Sequence, residues 1–270
     1  MVVNGGLPQA QYGALHDLYN ATGGSNWLWN TDTAAFGFPW TFVPGSDPCV
    51  DRWQGVECFN NSGNYDVSGV SLPSYNLIGS IPESFGDLTQ LTFILLTDNS
   101  LTGTLPDSLG NLTQLLYVAL QNNNLNGTIP SYIGEWTKIS SLDLGNNLFV
   151  GSIPASIGRL NQVEFLTLNY NFLTGSIPST ISNLTQLSNL VANSNFLDGT
   201  IPATLGNCSQ LFELQLAYNQ LTGPIPRSLC ELSGLSKLSL QINYLTSTIP
   251  GFIGDASNMI IFKEGDNKLH

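Results

Sequence analysis

Residues 210–226 read QLFELQLAYNQLTGPIP, and this stretch contains the pattern that decides the fold. Leu214 and Leu216 are two residues apart, Asn219 follows them, and Ile225 and Pro226 close the segment. Because side chains alternate along a strand, the two leucines point to one face and predict a short strand with a buried side.

The same pattern recurs every 24 residues. An apolar residue followed by Pro occupies one column eight times without insertion: Ile81-Pro82, Leu105-Pro106, Ile129-Pro130, Ile153-Pro154, Ile177-Pro178, Ile201-Pro202, Ile225-Pro226 and Ile249-Pro250. Another column holds Asn in seven rows: Asn99, Asn123, Asn147, Asn171, Asn195, Asn219 and Asn243. A constant period of this length is typical of a solenoid, in which each repeat packs on its neighbours.

Each column has a physical role. The strands stack in parallel, and a buried Asn amide can donate to and accept from the backbone groups that a strand leaves unpaired as the chain turns inward. We therefore predict a structural Asn ladder. The Pro column fixes φ and favours extended chain before a short helical turn, as in residues 179–184.

A row written as L-x-x-L-x-L-x-x-N-x-L-x-G-x-I-P resembles the 24-residue plant type of the leucine-rich repeat, over about residues 65 to 269. The resemblance implies an α/β solenoid: a right-handed leucine-rich repeat superhelix with a parallel concave sheet and an N-terminal helical, disulfide-linked cap. We expect an N-terminal cap at 1–64, eight repeats at 65–258, and a partial ninth repeat or C-terminal cap at 259–270. Continuation of the natural protein past His270 is favoured over a stop there.

Residues 8–64 break the period, as expected of a cover for the open end of the core. Pro8 can begin a helix that Gly23 ends, and four tryptophans follow: Trp27, Trp29, Trp40 and Trp53. The D-P-C and W-x-G-V-x-C motifs at residues 47–58 resemble the cap of plant leucine-rich repeat receptors, which implies a Cys49–Cys58 disulfide. For Cys208 and Cys230 the sequence leaves two alternatives open: a second disulfide, or two separate buried thiols.

Composition excludes several function classes. Seven Lys plus Arg against 19 Asp plus Glu give a formal charge of -12, which disfavours nucleic acid and anionic lipid as partners. No apolar run approaches the roughly 20 residues of a membrane span, so no membrane insertion is expected from this segment. Residues 1–6 lack a basic segment followed by an apolar stretch, so we expect that a secretion signal is either absent or has been trimmed and replaced by a start Met. Extracellular or cell-surface placement rests on the implied disulfide.

No catalytic constellation is visible. His16 and His270 are the two histidines, and neither belongs to a nucleophilic dyad. No motif has the spacing of a metal or phosphate site. We expect no enzyme activity, no metal and no cofactor.

Function is therefore expected on surfaces. The side chains between inward leucines form a candidate contact face for a peptide, protein or glycan: Phe93, Leu95, Tyr117, Asp143, Phe165, Asn169, Tyr170, Glu213 and Tyr218. Exposed aromatics among acids suit a ligand with basic residues. The opposite interpretation is that these aromatics are ordinary strand formers on an open sheet.

Two alternatives remain open. A similar 24-residue pattern occurs in leucine-rich repeat inhibitors of microbial polysaccharide-degrading enzymes, such as the polygalacturonase-inhibiting proteins. A second surface beside the G-x-I-P motif resembles the hydroxyl faces of ice-binding solenoids, with the candidate ladder Thr102, Thr104, Thr128, Thr174, Ser176, Thr200, Thr246 and Thr248. Possible N-glycosylation sites are Asn20, Asn60, Asn111, Asn126, Asn183 and Asn207, a number that composition alone would produce.

Overall fold

The structure is a computed structural model that describes residues 6–247 and 267–269. The chain forms two compact units, residues 1–126 and residues 127–270, which we call the first and the second unit. Each is described by itself. The predicted residues 259–266 of the partial ninth repeat lie outside the described residues.

The first unit begins with the cap. Helix α1 (Gln9–Ala21) follows Pro8 and buries Leu15 and Leu18; a short helix α2 (Thr33–Phe36) comes later. Gly23, with φ of +69°, lies just after α1 in the left-handed region that favours glycine. The cap helix and the helix-ending glycine are therefore where the sequence predicts them.

Aromatic rings fill the cap. Trp27, Trp40 and Trp53 are buried, whereas Trp29 is half-buried. The rings of Trp40 and Trp53 stack with centroids 5.6 Å apart, and the Trp40 indole N–H donates to the carbonyl of Gln54 at 2.8 Å. The Cys49–Cys58 disulfide is present, with a Cα–Cα distance of 5.7 Å. The predicted cap disulfide is thereby confirmed.

Strands of the first unit form two sets. They are β1 (Val56–Asn61), β2 (Asn64–Ser71), β3 (Ile78–Gly79), β4 (Phe93–Leu95), β5 (Ser100–Gly103), β6 (Tyr117–Ala119) and β7 (Asn124–Thr128). β1 is antiparallel to β2, and β2, β4 and β6 then pair in parallel, as the main strands of the repeats. β3, β5 and β7 pair in parallel as flank strands.

The second unit repeats this arrangement. Its strands are β8 (Ser141–Asp143), β9 (Leu148–Gly151), β10 (Phe165–Thr167), β11 (Phe172–Ser176), β12 (Asn189–Val191), β13 (Phe196–Asp198), β14 (Glu213–Gln215), β15 (Thr222–Gly223), β16 (Lys237–Ser239), β17 (Tyr244–Ser247) and β18 (Lys268–Leu269). β8, β10, β12, β14 and β16 are parallel main strands. The flank strands pair as β9-β11-β13 and β15-β17-β18.

Each Pro of the repeat from Pro82 to Pro226 precedes a short helical turn, as predicted, and Pro250 lies outside the described residues. Pro154, for example, is extended at φ -68° and ψ 141°. These turns are 3-10 helices at Glu83–Asp87, Asp107–Asn111, Ser131–Glu135, Ala155–Arg159, Ser179–Asn183 and Ala203–Asn207, and a four-residue α-helix, α3, at Arg227–Cys230. They carry the chain from one flank strand to the next main strand.

The ladder asparagines bond in the same way in both units. In the first unit, the N–H of Leu101 donates to Asn123 Oδ1 at 2.9 Å, and Asn123 Nδ2 donates to the carbonyl of Leu96 at 2.9 Å. In the second unit, the N–H of Phe149 donates to Asn171 Oδ1 at 3.0 Å, and Asn171 Nδ2 donates to the carbonyl of Leu144 at 3.0 Å. Each amide thus links its own turn to the preceding one.

Candidate functional site

The main strands of the first unit carry three of the predicted contact residues. Phe93 pairs across the strands with Tyr117, and Leu95 pairs with Ala119. Tyr117 is half exposed, whereas the Phe93 ring lies across Gly69 of the neighbouring strand, where any Cβ would overlap it. A glycine on one strand therefore accommodates an aromatic ring from the next.

The main strands of the second unit bring together an exposed ring and a carboxylate. Phe165 is paired with Ser141 on the strand that ends at Asp143. Asp143 Oδ1 accepts the N–H of Gly145 at 2.9 Å. Desolvation raises the pKa of the Asp143 carboxyl, and the hydrogen bond from Gly145 offsets part of that rise. A cationic partner would therefore stabilise the ionised form of this carboxylate.

Asn169 lies beside this carboxylate. Its Oδ1 occupies the space in which a Cβ on Gly145 would stand, and Asp143 Oδ1 lies near the same point. Within the described part of the chain, no donor bonds Asp143 Oδ2. Phe165, Asp143 and Asn169 thus present an apolar ring, an acid and an amide from two adjacent repeats.

Glu213 is placed differently from its neighbours. It is only 9% exposed, and its carboxylate is already bonded by Asn189 Nδ2 at 2.7 Å, by Gln215 Nε2, and by Lys237 Nζ at 3.5 Å. Its hydrogen-bonding capacity is used within the chain. Glu213 lies in the predicted face, yet it serves to organise the surface more than to offer a free carboxylate.

Tyr170 and Tyr218 lie beyond the ends of the main strands. Both are left-handed, with φ of 51° and 56°, and both are half exposed. They stand directly before the buried ladder residues Asn171 and Asn219, at the boundary between the main strands and the flank strands.

The candidate hydroxyl ladder lies on the flank strands or directly after them. Its described members are exposed: Thr102 and Thr104 in the first unit, and Thr128, Thr174, Ser176, Thr200 and Thr246 in the second. Thr102 Oγ1 donates to the carbonyl of Gly79 at 3.2 Å. Thr248 lies outside the described residues.

Sequence reasoning missed a column of exposed apolar residues in the second unit. Leu148, Phe172, Phe196 and Tyr244 each follow a ladder Asn and are 41% to 56% exposed. Alternation along β11 was the available signal, since Leu173 is buried between exposed Phe172 and Thr174.

The remaining predicted positions are structural or surface features. Cys208 is a free buried thiol that lies 3.4 Å from the carbonyl of Ile181, and burial raises the pKa of this thiol to about 11. The side chain of Cys230 lies outside the described residues. All six sequon asparagines are exposed.

Within the described residues, no group of three or more His, Cys, Asp or Glu side chains is arranged to hold a metal ion. In the same part of the chain, no helix combines the length and apolarity that crossing a membrane requires.

Parallel coils joined by buried asparagines define a leucine-rich repeat protein. The family model described as Leucine Rich Repeat matches residues 90–112, 138–160, 162–184 and 210–232. The chain belongs to the leucine-rich repeat proteins, as its sequence predicts. No curated protein sequence matches it significantly.

Solved structures with this fold include two plant receptors. The peptide hormone receptor RGFR1, in complex with RGF2, is 37% identical over 70% of this chain and 30% of its own, with a TM-score of 0.69. The ectodomain of the membrane receptor kinase GASSHO1/SCHENGEN3 from Arabidopsis thaliana, in complex with CASPARIAN STRIP INTEGRITY FACTOR 2, is 36% identical over 88% of this chain and 29% of its own, with a TM-score of 0.79. This chain therefore spans less than a third of either receptor chain.

A plant ice-binding protein shares the fold as well. It is 23% identical over 97% of this chain and 88% of its own, with a TM-score of 0.76. At this identity the likeness concerns the fold alone.

Proposed function

We propose that this chain is a non-catalytic, extracellular recognition module that binds a peptide on the outward side chains of its main strands. The observation that carries the proposal is the exposed Phe165 ring on the strand adjacent to Asp143, a partly desolvated carboxylate with one oxygen unbonded in the described part of the chain. The Cys49–Cys58 disulfide supports an oxidising, extracellular setting.

The chemistry of this face favours a basic and apolar peptide. A Lys or Arg side chain can pair with Asp143, while an adjacent apolar side chain covers Phe165. The net charge of -12 adds long-range attraction for such a ligand. Of the two similar plant receptors, RGFR1 is a peptide hormone receptor, which supports a peptide over a glycan.

Rigidity is the mechanism. The outward side chains stand on strands held by buried leucines and by Asn side chains, so the backbone is ordered before the ligand arrives. Binding then costs little backbone entropy. In the first unit, Phe93 across Gly69 and Tyr117 beside it provide a second apolar contact surface of the same design.

A random peptide display library tests the proposal. Selection on the wild type should enrich peptides with Lys or Arg next to an apolar residue, and Asp143→Asn with Phe165→Ser should weaken their binding at least tenfold at a melting temperature no lower than that of the wild type. Phe93→Ala with Tyr117→Ala makes the same test in the first unit. Phe36→Ser, an exposed ring in the cap, is the matched control. Peptides that bind all variants equally would refute the assignment.

Ice binding is a second candidate because the described hydroxyl ladder is exposed in both units. Val150, Asp198 and Pro224 interrupt it, and the exposed sequon residue Asn126 lies two residues before Thr128 on β7, so a glycan there would project beside the ladder. Thermal hysteresis of the purified protein, abolished by Thr104→Tyr, would establish this function in place of peptide binding. If the unglycosylated protein shows no thermal hysteresis, ice binding is excluded.

A further inference from the structure

The flank of the second unit presents an apolar surface that peptide binding on the main strands does not use. Its residues are exposed by 37% to 57%, and we call them the aromatic flank: Leu148, Val150, Tyr170, Phe172, Phe196, Tyr218, Ile242 and Tyr244. The repeats of the first unit expose far fewer large apolar residues among those described: Ile78, Leu116 and Tyr117.

The aromatic flank is contiguous. Phe172 pairs with Val150 on the adjacent strand, and the rings of Phe172 and Phe196 stack with centroids 6.1 Å apart. Tyr218 and Ile242 occupy consecutive rungs. The N–H of Asn195 donates to the carbonyl of Tyr218, and the N–H of Asn219, the residue after Tyr218, donates to the carbonyl of Ile242. Each ladder Asn of the second unit has at least one of these exposed apolar residues directly before or after it, so most of them occupy the two columns next to the ladder.

Backbone strain accompanies these side chains. Tyr170, Tyr218 and Ile242 have φ of 51°, 56° and 55°, a region that Asn and Asp tolerate far better and that a β-branched residue seldom enters. Asp98 and Asn122 occupy the same column in the first unit. Because these side chains are largely exposed, packing within their own chain offsets little of this strain. We therefore expect contacts outside the folded monomer to stabilise them.

Area and charge indicate the occupant. A half-exposed aromatic side chain leaves about 100 Å² uncovered. The five aromatic residues therefore leave about 500 Å², before the three aliphatic residues are added, against the about 800 Å² that each partner contributes to an ordinary specific interface. Asp198 is the one charged residue of β9, β11, β13, β15 and β17. Two copies of this acidic chain can therefore bring these flanks together with little like-charge repulsion, whereas a basic partner would find almost no acid to pair with.

We propose that the aromatic flank binds a second copy of this chain, forming a symmetric dimer. Such an isologous contact places each flank against its own counterpart, and Phe172 and Phe196 lie at its centre. The sequons of the second unit, Asn183 and Asn207, end 3-10 helices and stand off these strands, so glycans there leave the flank open.

Sedimentation equilibrium over a wide concentration range tests the dimer. The wild type should show a monomer–dimer equilibrium, and Phe172→Ser with Phe196→Ser should weaken it at least tenfold. Phe36→Ser should leave it unchanged. If the double variant does not fold, Tyr244→Ser makes the same test at a more exposed position. A wild type that stays monomeric, including one that binds another protein through this flank, overturns the proposal.

Ile242→Asn separates docking from folding. It should weaken the dimer and yet raise the melting temperature measured at a dilution where the protein is monomeric, because it relieves the left-handed strain. An unchanged dimer dissociation constant would remove Ile242 from the interface. Loss of the dimer would leave peptide capture by Asp143 and Phe165 intact, so the two proposals fail independently.

Discussion

The two units share one interior and differ in their flanks. Before and after the buried ladder residue, the first unit has polar pairs such as Asn122 and Asn124, whereas every such pair in the second unit contains at least one exposed apolar residue, and Tyr170 and Phe172 are both apolar. The interior bonds are the same in kind and in length. Inward positions therefore define the fold, and outward positions are free to specialise, even where specialisation costs backbone strain.

The largest effects are expected in the shared interior. Leu96→Ala in the first unit and Leu168→Ala in the second each remove a fully buried side chain, and each should cost about 2 to 5 kcal/mol through lost burial and a cavity. Urea denaturation measures both. A marked loss in one unit and none in the other would break the equivalence of their cores.

The ladder should contribute next. Asn171→Leu leaves the Phe149 N–H without its partner and removes one of the two side-chain donors to the Leu144 carbonyl, at about 1 to 3 kcal/mol. Asn123→Leu should cost as much in the first unit. The exposed Asn161 provides the control, since Asn161→Leu should change stability by less than about 0.5 kcal/mol. Equal losses at all three positions would show that the ladder bonds do not stabilise the protein.

The flank comparison predicts changes of opposite sign at one column. Ile242→Asn should stabilise the monomer by about 1 kcal/mol, because Asn tolerates the left-handed backbone. Asn122→Ile should destabilise by at least as much, since it introduces the strain and removes the 2.6 Å bond from Asn122 Nδ2 to Asp98 Oδ1. Denaturation of dilute protein checks both. Destabilisation by Ile242→Asn would mean that Ile242 packs within its own chain.

The smallest effect is a pH dependence in the second unit. Desolvation raises the pKa of Asp143 above its ordinary 3.8, so the folded state binds the proton more tightly than the unfolded state does. The ionised form therefore destabilises the fold above the raised pKa, and this penalty disappears as the pH falls through the raised value toward 3.8.

Asp143→Asn checks this sign. Asn keeps an acceptor for the Gly145 N–H and removes the charge, so the variant should be more stable than the wild type at neutral pH. The difference should vanish on acidification, in melting curves recorded across that range. A difference that does not change with pH would show that the charge of Asp143 is not its cause.

Most of the fold was predictable, because the 24-residue period reports neighbour-on-neighbour packing directly. The alternating leucines, the turn after each Pro and the cap disulfide follow from local pattern or from the family resemblance. The burial of Glu213 did not follow, because it depends on Asn189 and Lys237, each 24 residues away on adjacent strands.

The arrangement of the aromatic flank could not be predicted from the sequence, for a different reason. The alternation around Leu173 indicated that Phe172 faces outward, but the left-handed backbone of Tyr170 and the stacking of Phe172 on Phe196 become visible only when the rungs are in register. Local pattern identifies which side chains leave the core. It does not say which of them meet.

Amide hydrogen exchange tests the shared interior most directly. The N–H groups of Leu101, Phe149, Leu173, Leu197 and Leu221 donate to ladder Asn oxygens. They should be strongly protected in both units, and they should remain so in the flank variants. Exchange of these amides at the rate of an unfolded chain, in either unit, would contradict the account.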